Sequence, residues 1–241
     1  MKTLFLEARY KKKFKLPDSI AAKLAKTVNK IALSTTVQFL DSVSGIKEQL
    51  EKAGIRVELF KPKHCKYEGQ LLGCSINTDA NLKNARNQNS FLYIGDGLFH
   101  PIALKINNDN NSNSKVFAYN PFTKKLNEIT EKETKQMKQQ QKAALVRFYS
   151  STEIGVLIST KPGQHYLNKA KQLEKKMETL YTENPNMAKK NFYYLLFDTL
   201  DFTQLENFPF IECFVNTACP RISYDDYEKF RKKIVDINQF I

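Results

Sequence analysis

Two stretches of this chain resemble each other, and that repetition constrains the fold more than any other feature. Ile31–Gln38 reads IALSTTVQ and Val156–Gln164 reads VLISTKPGQ. Each is an apolar run of strand length that ends in Ser-Thr, crosses a short gap to Gln and continues into an amphipathic stretch and a further strand pattern. Each copy then leads to a cysteine-bearing turn, Leu72-Gly73-Cys74 in the first and Thr217-Ala218-Cys219-Pro220 in the second. Strands alternating with helices imply parallel sheets joined by right-handed crossovers. The expectation is an α/β protein of two duplicated domains, each a small parallel sheet flanked by helices. Residues 1–149 form the first and carry Cys74; residues 150–241 form the second and carry Cys219.

The remaining pattern fits this frame. Thr3–Glu7 is a short apolar run of the strand type, and Ser19–Ala25 opens a helical stretch. Asp41–Ala53 has Val43, Ile46 and Leu50 at helical spacing, with Gly54 where a helix C-cap belongs. Arg56–Phe60, Phe91–Ile94 and Lys115–Tyr119 read as strands, the last stopped by Asn120-Pro121. Thr130–Phe148 reads as a long helix, Glu153–Ser159 as a strand, Tyr166–Tyr181 as an amphipathic helix, and Asn191–Phe197 and Ile211–Val215 as the closing strands. Asn107–Ser114 (NNDNNSNS) is a polar low-complexity insertion expected to be a mobile loop, and a second polar insertion lies at Tyr181–Lys190.

Composition narrows the class. Hydrophobic residues make up 41% of 241, enough for a proper core. No apolar run approaches the length that spans a bilayer, and Glu7, Arg9 and Lys11–Lys13 interrupt the N-terminus too soon for a signal peptide. A cytoplasmic protein with no membrane association is expected. The 38 Lys+Arg against 25 Asp+Glu give a formal charge of +13, which favours acidic partners. The lysines are spread out and match no nucleic-acid motif, so solvated helix faces account for them and direct nucleic-acid binding is not expected.

Ligands of parallel sheets bind beyond the carboxyl ends of the strands, and the chemically capable residues fall there. Cys219 lies in Asn216-Thr217-Ala218-Cys219-Pro220-Arg221, where Pro220 stiffens the turn and Arg221 sets a permanent positive charge beside the sulfur. A buried structural cysteine is the alternative. Cys74 follows Gly73 in a turn that lets backbone approach something bulky. Gly95-Asp96-Gly97, followed by Phe99-His100-Pro101, carries an acid and an imidazole but falls short of a dinucleotide fingerprint. Lys161-Pro162-Gly163-Gln164 opens toward a helix whose free N–H groups attract carboxylate or phosphate. Cys213 sits inside an apolar strand and reads as a buried thiol; Cys65, in a basic loop, is a reserve ligand. No C-x-x-C pair and no C-x-x-x-C-x-x-C triplet is present.

In this order STxxQ, LGC, the GDGxFH turn, a Pro-bearing strand exit, STKPGQ and NTACPRI resemble the 2-(3-amino-3-carboxypropyl)histidine synthase family, from about Lys2 to Phe230. The family performs the first step of diphthamide biosynthesis. The resemblance implies three copies of one α/β domain, each giving one cysteine to a 4Fe–4S cluster. The cluster binds S-adenosylmethionine and cleaves it reductively, and the resulting 3-amino-3-carboxypropyl group is transferred to a histidine of translation elongation factor 2. By this resemblance Cys74 and Cys219 are the metal ligands of the middle and last domains. Ser34, Thr35, Gln38, Gly95, Asp96, Gly97, His100, Ser159, Thr160, Lys161, Gly163, Gln164 and Arg221 are the candidate S-adenosylmethionine contacts, by analogy of position. The sequence opens at what resembles the middle domain, so the first domain and the third cysteine are expected on a separate polypeptide, in a homo- or hetero-dimer. Two other readings stay open: a non-catalytic partner of a complete homologue, and a redox-inactive α/β ligand-binding protein.

Overall fold

The computed structural model describes residues 4, 6–73, 76, 90–107, 114–224 and 230–240. The chain divides into two compact units, Met1–Lys135 and Gln136–Ile241. The division falls inside a long helix, Glu131–Ser150, and the expected boundary at 149/150 lies at that helix's C-terminal end.

The first unit runs α1 (Asp18–Ala25), β1 (Lys30–Thr35), a 3₁₀ turn (Val37–Ser42), α2 (Val43–Lys52), β2 (Arg56–Glu58), β3 (Ser90–Ile94), α3 (Phe99–Ile106), β4 (Val116–Asn120) and β5 (Lys125–Ile129). The sheet order is β2-β1-β3-β4-β5, parallel except for β5. Alternation along the strands assigns the two faces. Ile31 and Leu33, Leu92 and Ile94, and Phe117 and Tyr119 pack with Leu24 of α1 and Ile46 and Leu50 of α2. Ala32, Phe91, Tyr93, Val116 and Ala118 pack with Ala103 and Leu104 of α3. Both faces are covered, so the strands read as continuous apolar runs, as parallel strands do. At the end of α2 Gly54 takes φ +88°, and the Ile55 N–H reaches back to the Leu50 carbonyl at 3.1 Å, closing the helix where the sequence placed its cap.

The second unit runs from α4 (Glu131–Ser150) through β6 (Glu153–Ser159), α5 (Leu167–Glu183), β7 (Asn191–Phe197), a 3₁₀ turn (Phe202–Asn207), β8 (Cys213–Asn216), α6 (Arg221–Tyr224) and β9 (Ile234–Asp236) to a terminal turn (Ile237–Gln239). The order is β7-β6-β8-β9, all parallel. In both sheets the first strand is central, the second flanks it on one side, and the third and fourth follow on the other. The duplication seen in the Ser-Thr motifs therefore extends to topology. Ile154, Val156 and Ile158 face Phe148, Leu173 and Met177, while Leu157 and Phe214 face Leu205, Ile211 and Phe230.

Three sequence expectations need correction. Thr3–Glu7 is no strand in its described residues: Leu4 and Leu6 are exposed and unassigned, and Glu7 is held by side-chain bonds from Arg9, Lys66 and Tyr67 instead. Two strands were not foreseen. Three of the five residues of β5 are polar (Lys125, Asn127 and Glu128), and the strand exists because the chain turns back after β4. Asn120 Oδ1 accepts from Phe122 N (2.9 Å) and Thr123 N (3.1 Å), and Lys124 adopts φ +56° before the hairpin pairs. β9 is three residues long and follows two lysines, too short for a periodicity signal. The expected loop at Asn107–Ser114 lies mostly outside the described residues.

Candidate functional site

In the first unit the carboxyl ends of β1 and β3 gather the expected residues. Thr35 is the anchor: its Oγ1 donates to the Ile94 carbonyl at 2.7 Å, tying β1 to β3 at their last residues. Its backbone also pairs with the loop leading to Cys74, through Thr35 N to Gly69 O (2.8 Å) and Leu71 N to Thr35 O (2.7 Å). Gln70 holds that loop from inside, its Oε1 accepting from Lys66 N (2.8 Å) and Tyr67 N (3.1 Å). The chain is thus delivered to Gly73 on a fixed path. A Cβ at Gly73 would lie 2.7 Å from Cε1 of Phe99, so the residue before Cys74 touches the first turn of α3 and only glycine fits. Cys74 itself lies outside the described residues.

The Gly95-Asp96-Gly97 turn sits at the end of β3 as expected. A Cβ at Gly95 would meet the Tyr93 ring at 2.6 Å, so the turn folds directly over that buried ring. Tyr93 in turn stacks on His100, with ring centroids 5.3 Å apart and the hydroxyl 3.2 Å from Nδ1. Gly97 opens onto free space and Asp96 is exposed. Ser34, opposite Tyr93 in the β1–β3 register, is buried, and its Oγ has no hydrogen-bond partner among the described residues. Gln38 lies in the turn after β1, partly exposed, and its carbonyl accepts from Tyr10 N at 2.7 Å.

In the second unit β6 and β8 end side by side. Asn216 is fully buried and organises the turn that follows it: Oδ1 accepts from Ala218 N (2.9 Å), while Nδ2 donates to the Cys219 carbonyl (2.9 Å) and to Ser223 Oγ (3.2 Å). Thr217 stitches the same turn to β6, both N and Oγ1 donating to the Leu157 carbonyl. The Ile222 and Ser223 N–H groups close α6 onto Cys219 and Pro220. Asn216, Thr217, Ala218 and Pro220 are buried; Cys219 is partly exposed and Arg221 is exposed. The turn therefore holds a partly exposed cysteine on a hydrogen-bonded frame.

Beside it, Ser159 is buried and its Oγ accepts from Lys161 N at 3.1 Å, bending the chain off β6. His165 Nδ1 lies 3.0 Å from the Ser159 carbonyl. Thr160 turns the other way, its N and Oγ1 both bonded to the Phe197 carbonyl of β7. Gly163 takes φ +79°, and Gln164 N bonds Lys161 O at 3.1 Å, closing the loop before α5. The exposed Lys161 and the partly exposed Gln164 are surface groups of this loop.

The other two cysteines are both buried. Cys213 is buried in β8, and burial pushes its thiol up to about 12. Cys65 is buried in the loop before Gly69. Asp236, at the carboxyl end of β9 and paired with Asn216 in register, was missed. It is buried, its Oδ1 accepts from Asn238 N at 2.8 Å, its Oδ2 has no partner among the described residues, and burial raises its carboxyl to about 6. Asn216 was legible as an Asx-turn residue three positions before a cysteine; Tyr93 and Gln70 carry no sequence signal.

Among the described residues no group of three or more His, Cys, Asp or Glu is placed to hold a metal ion by itself. Within the second unit, the partly exposed Cys219 on its hydrogen-bonded turn at the end of β8 is chemically suited to act as a thiolate ligand of an iron–sulfur group.

The family described as "Putative diphthamide synthesis protein" matches residues 1–240. The 2-(3-amino-3-carboxypropyl)histidine synthase of Pyrococcus horikoshii is 29% identical over 214 residues, covering 88% of this chain and 56% of the relative. Subunit 1 of the corresponding Caenorhabditis elegans enzyme is 27% identical over 210 residues, covering 86% of this chain and 48% of the relative. The crystal structure of Dph2 from Pyrococcus horikoshii with a 4Fe–4S cluster superposes with a TM-score of 0.72 at 26% identity, over 92% of this chain and 60% of that one. This chain spans about half to three-fifths of the length of those relatives. On its whole length, it belongs to the diphthamide synthesis protein family.

Proposed function

We propose that this chain is a subunit of a split 4Fe–4S enzyme that transfers the 3-amino-3-carboxypropyl group of S-adenosylmethionine to a histidine of translation elongation factor 2. The observation that carries the reading is the Cys219 turn, a partly exposed thiol held on buried backbone by Asn216 and Thr217 at the end of β8. Cys74 and Cys219 serve as thiolate ligands, and a separate polypeptide supplies the third cysteine. When bound, the cluster supplies the electron that cleaves the sulfonium.

The protein's own residues have binding and positioning work to do. The substrate's carboxylate calls for cationic or N–H donors, and the exposed Arg221 and Lys161 provide them. Its ammonium group calls for acceptors, and Asp96 at the exposed GDG turn is suited to that. The buried Ser34 hydroxyl, which lacks a partner among the described residues, is available to a ligand group entering at the end of β1. Thr35, Gly95 and Gly97 shape the first-unit turn, His100 is oriented by Tyr93, and Ser159, Thr160, Gly163 and Gln164 shape the second. The formal charge of +13 assists docking of an acidic face of the elongation factor, in the cytoplasm. No helix among the described residues is long and apolar enough to cross a membrane.

The test is label transfer from carboxyl-labelled S-adenosylmethionine to purified elongation factor 2, under reducing anaerobic conditions. The proposal expects label on the factor only when this chain is joined by a polypeptide that supplies the third cysteine. Transfer that survives Cys219→Ala in that assembly would leave the chain a scaffold.

A further inference from the structure

Lysines that are scattered along the sequence are gathered by the fold of the first unit. Residues 10–17 form a strap laid over the 3₁₀ turn and α2. Tyr10 N donates to the Gln38 carbonyl, Phe14 N to Ser42 Oγ (3.2 Å) and Leu16 N to Gln49 Oε1 (2.9 Å). Tyr10 and Phe14 pack on the buried Phe39, with ring centroids 5.9 and 5.8 Å away, while Lys11, Lys12, Lys13 and Lys15 are exposed. The β4–β5 hairpin meets this strap. Phe122 packs edge to face on Tyr10 at 5.5 Å and on Phe39 at 5.8 Å, and the exposed Lys124 closes the hairpin turn two residues later.

The charge here is uncompensated. Residues 10–17 and 119–127 hold six lysines and no Asp or Glu. Lys30, Lys47, Lys66 and Lys115 are each faced by a carboxylate, and Arg9 is matched by Glu7 and Asp41. Among the described residues none of the six has an ion pair. Within this field lies an aromatic ring that the core holds on one side and leaves open on the other: Phe122 is 51% exposed.

An open ring flanked by ammonium groups suits one class of ligand. Bases of a single strand stack on an aromatic side chain, and the phosphates beside them pair with lysines. An acidic polypeptide would engage the lysines and gain little from a lone ring, and a duplex keeps its bases stacked on each other. We propose that the strap and the β4–β5 hairpin form a binding face for single-stranded nucleic acid, with a base stacked on Phe122 and neighbouring phosphates on Lys11, Lys13 and Lys124. The sequence alone pointed away from nucleic acid because its lysines match no motif. The hairpin, which the sequence did not announce, is what brings Lys124 and Phe122 to the strap.

The test is fluorescence anisotropy of the full chain with a labelled oligouridylate of about 12 nucleotides, at salt concentrations from about 50 to 200 mM. The wild type should bind, with affinity falling as salt rises, and oligothymidylate should bind comparably because neither contact reads the 2′-hydroxyl. The triple variant Lys11→Gln, Lys13→Gln, Lys124→Gln should bind at least about tenfold more weakly. Its slope of log affinity against log salt should be shallower by about 2, since each phosphate contact on a single strand contributes about 0.7. Lys171→Gln, Lys175→Gln, Lys189→Gln removes the same charge from exposed positions of the second unit and should leave the slope unchanged. Phe122→Leu keeps an apolar contact for Tyr10 and Phe39 but removes the ring, and should weaken binding about fivefold or more. Thermal unfolding of each variant tells loss of binding from loss of fold. No binding by the wild type, equal losses from the two lysine triples, or unaltered affinity in Phe122→Leu would overturn the proposal. So would tighter binding of polyglutamate, or of a duplex of the same length, than of oligouridylate.

Discussion

Replacing Asn216 with alanine tests whether the Cys219 turn is a built frame. The side chain is fully buried and makes three hydrogen bonds, to Ala218 N, Cys219 O and Ser223 Oγ. Each contributes about 0.5–1.5 kcal/mol net, and a buried donor left without a partner costs more, about 1–3 kcal/mol. Ala218 is buried, so its N–H cannot recover a bond from solvent without the turn opening. The expected loss is roughly 3 kcal/mol. With a urea slope of about 2–3 kcal/mol/M, the midpoint of the second unit should fall by about 1 M. Tyrosine fluorescence and far-UV circular dichroism report the transition, and limited proteolysis near Cys219 reports local opening. The conservative Asn216→Asp keeps the acceptor for Ala218 N and should protect the turn from proteolysis better than alanine does. A midpoint within experimental error of wild type for Asn216→Ala would refute the reasoning, because a frame that loses three buried bonds at no cost was not holding the turn.

Further outcomes follow from other parts of the structure. Gly73→Ala places a methyl group 2.7 Å from the Phe99 ring and should destabilise the first unit by about 1–3 kcal/mol in thermal unfolding, with partial rescue by Phe99→Leu in a double-mutant cycle. Asp236 keeps its proton in the folded state up to about pH 6 but loses it at lower pH when unfolded. Its contribution is therefore fully present at low pH and is lost as pH rises through 6. Asp236→Asn, which keeps the acceptor for Asn238 N, should match wild type near pH 4 and exceed it at pH 8 by up to about 3 kcal/mol in urea unfolding; equal stabilities at pH 8 would contradict this. Alkylation of the native protein at pH 8, mapped by mass spectrometry, should modify Cys219 readily and leave Cys213 untouched, because burial holds the latter thiol at about 12.

Much of this architecture was legible because both sheets bury both faces. Apolar runs such as Ile31–Leu33 and Val156–Ile158 announce themselves, and Gly54 marks the end of α2 without reference to tertiary structure. What was hidden depends on partners far along the chain. β5 is a strand because the Asn120 turn returns it to β4, and β9 is one because β8 has an open edge. Leu4 and Leu6 looked like strand residues by hydropathy alone and found no sheet to join. The site shows the same division. Ser-Thr, GDG and Ala-Cys-Pro turns are visible as local chemistry. The residues that position them are visible only once β1 meets the Gly69–Leu71 loop, Tyr93 meets His100, and Thr217 meets Leu157.

The central claim is that Cys74 and Cys219 are cluster ligands, and anaerobic reconstitution with iron and sulfide tests it most directly. Iron, sulfide and visible absorbance would be measured for the chain co-expressed with a polypeptide supplying the proposed third cysteine, as wild type, Cys74→Ala, Cys219→Ala and Cys213→Ala. The account predicts a stable cluster in the wild type and in Cys213→Ala, if that buried site tolerates the change, and its loss in each of the other two. A cluster that persists in full when Cys74 or Cys219 is removed would contradict it.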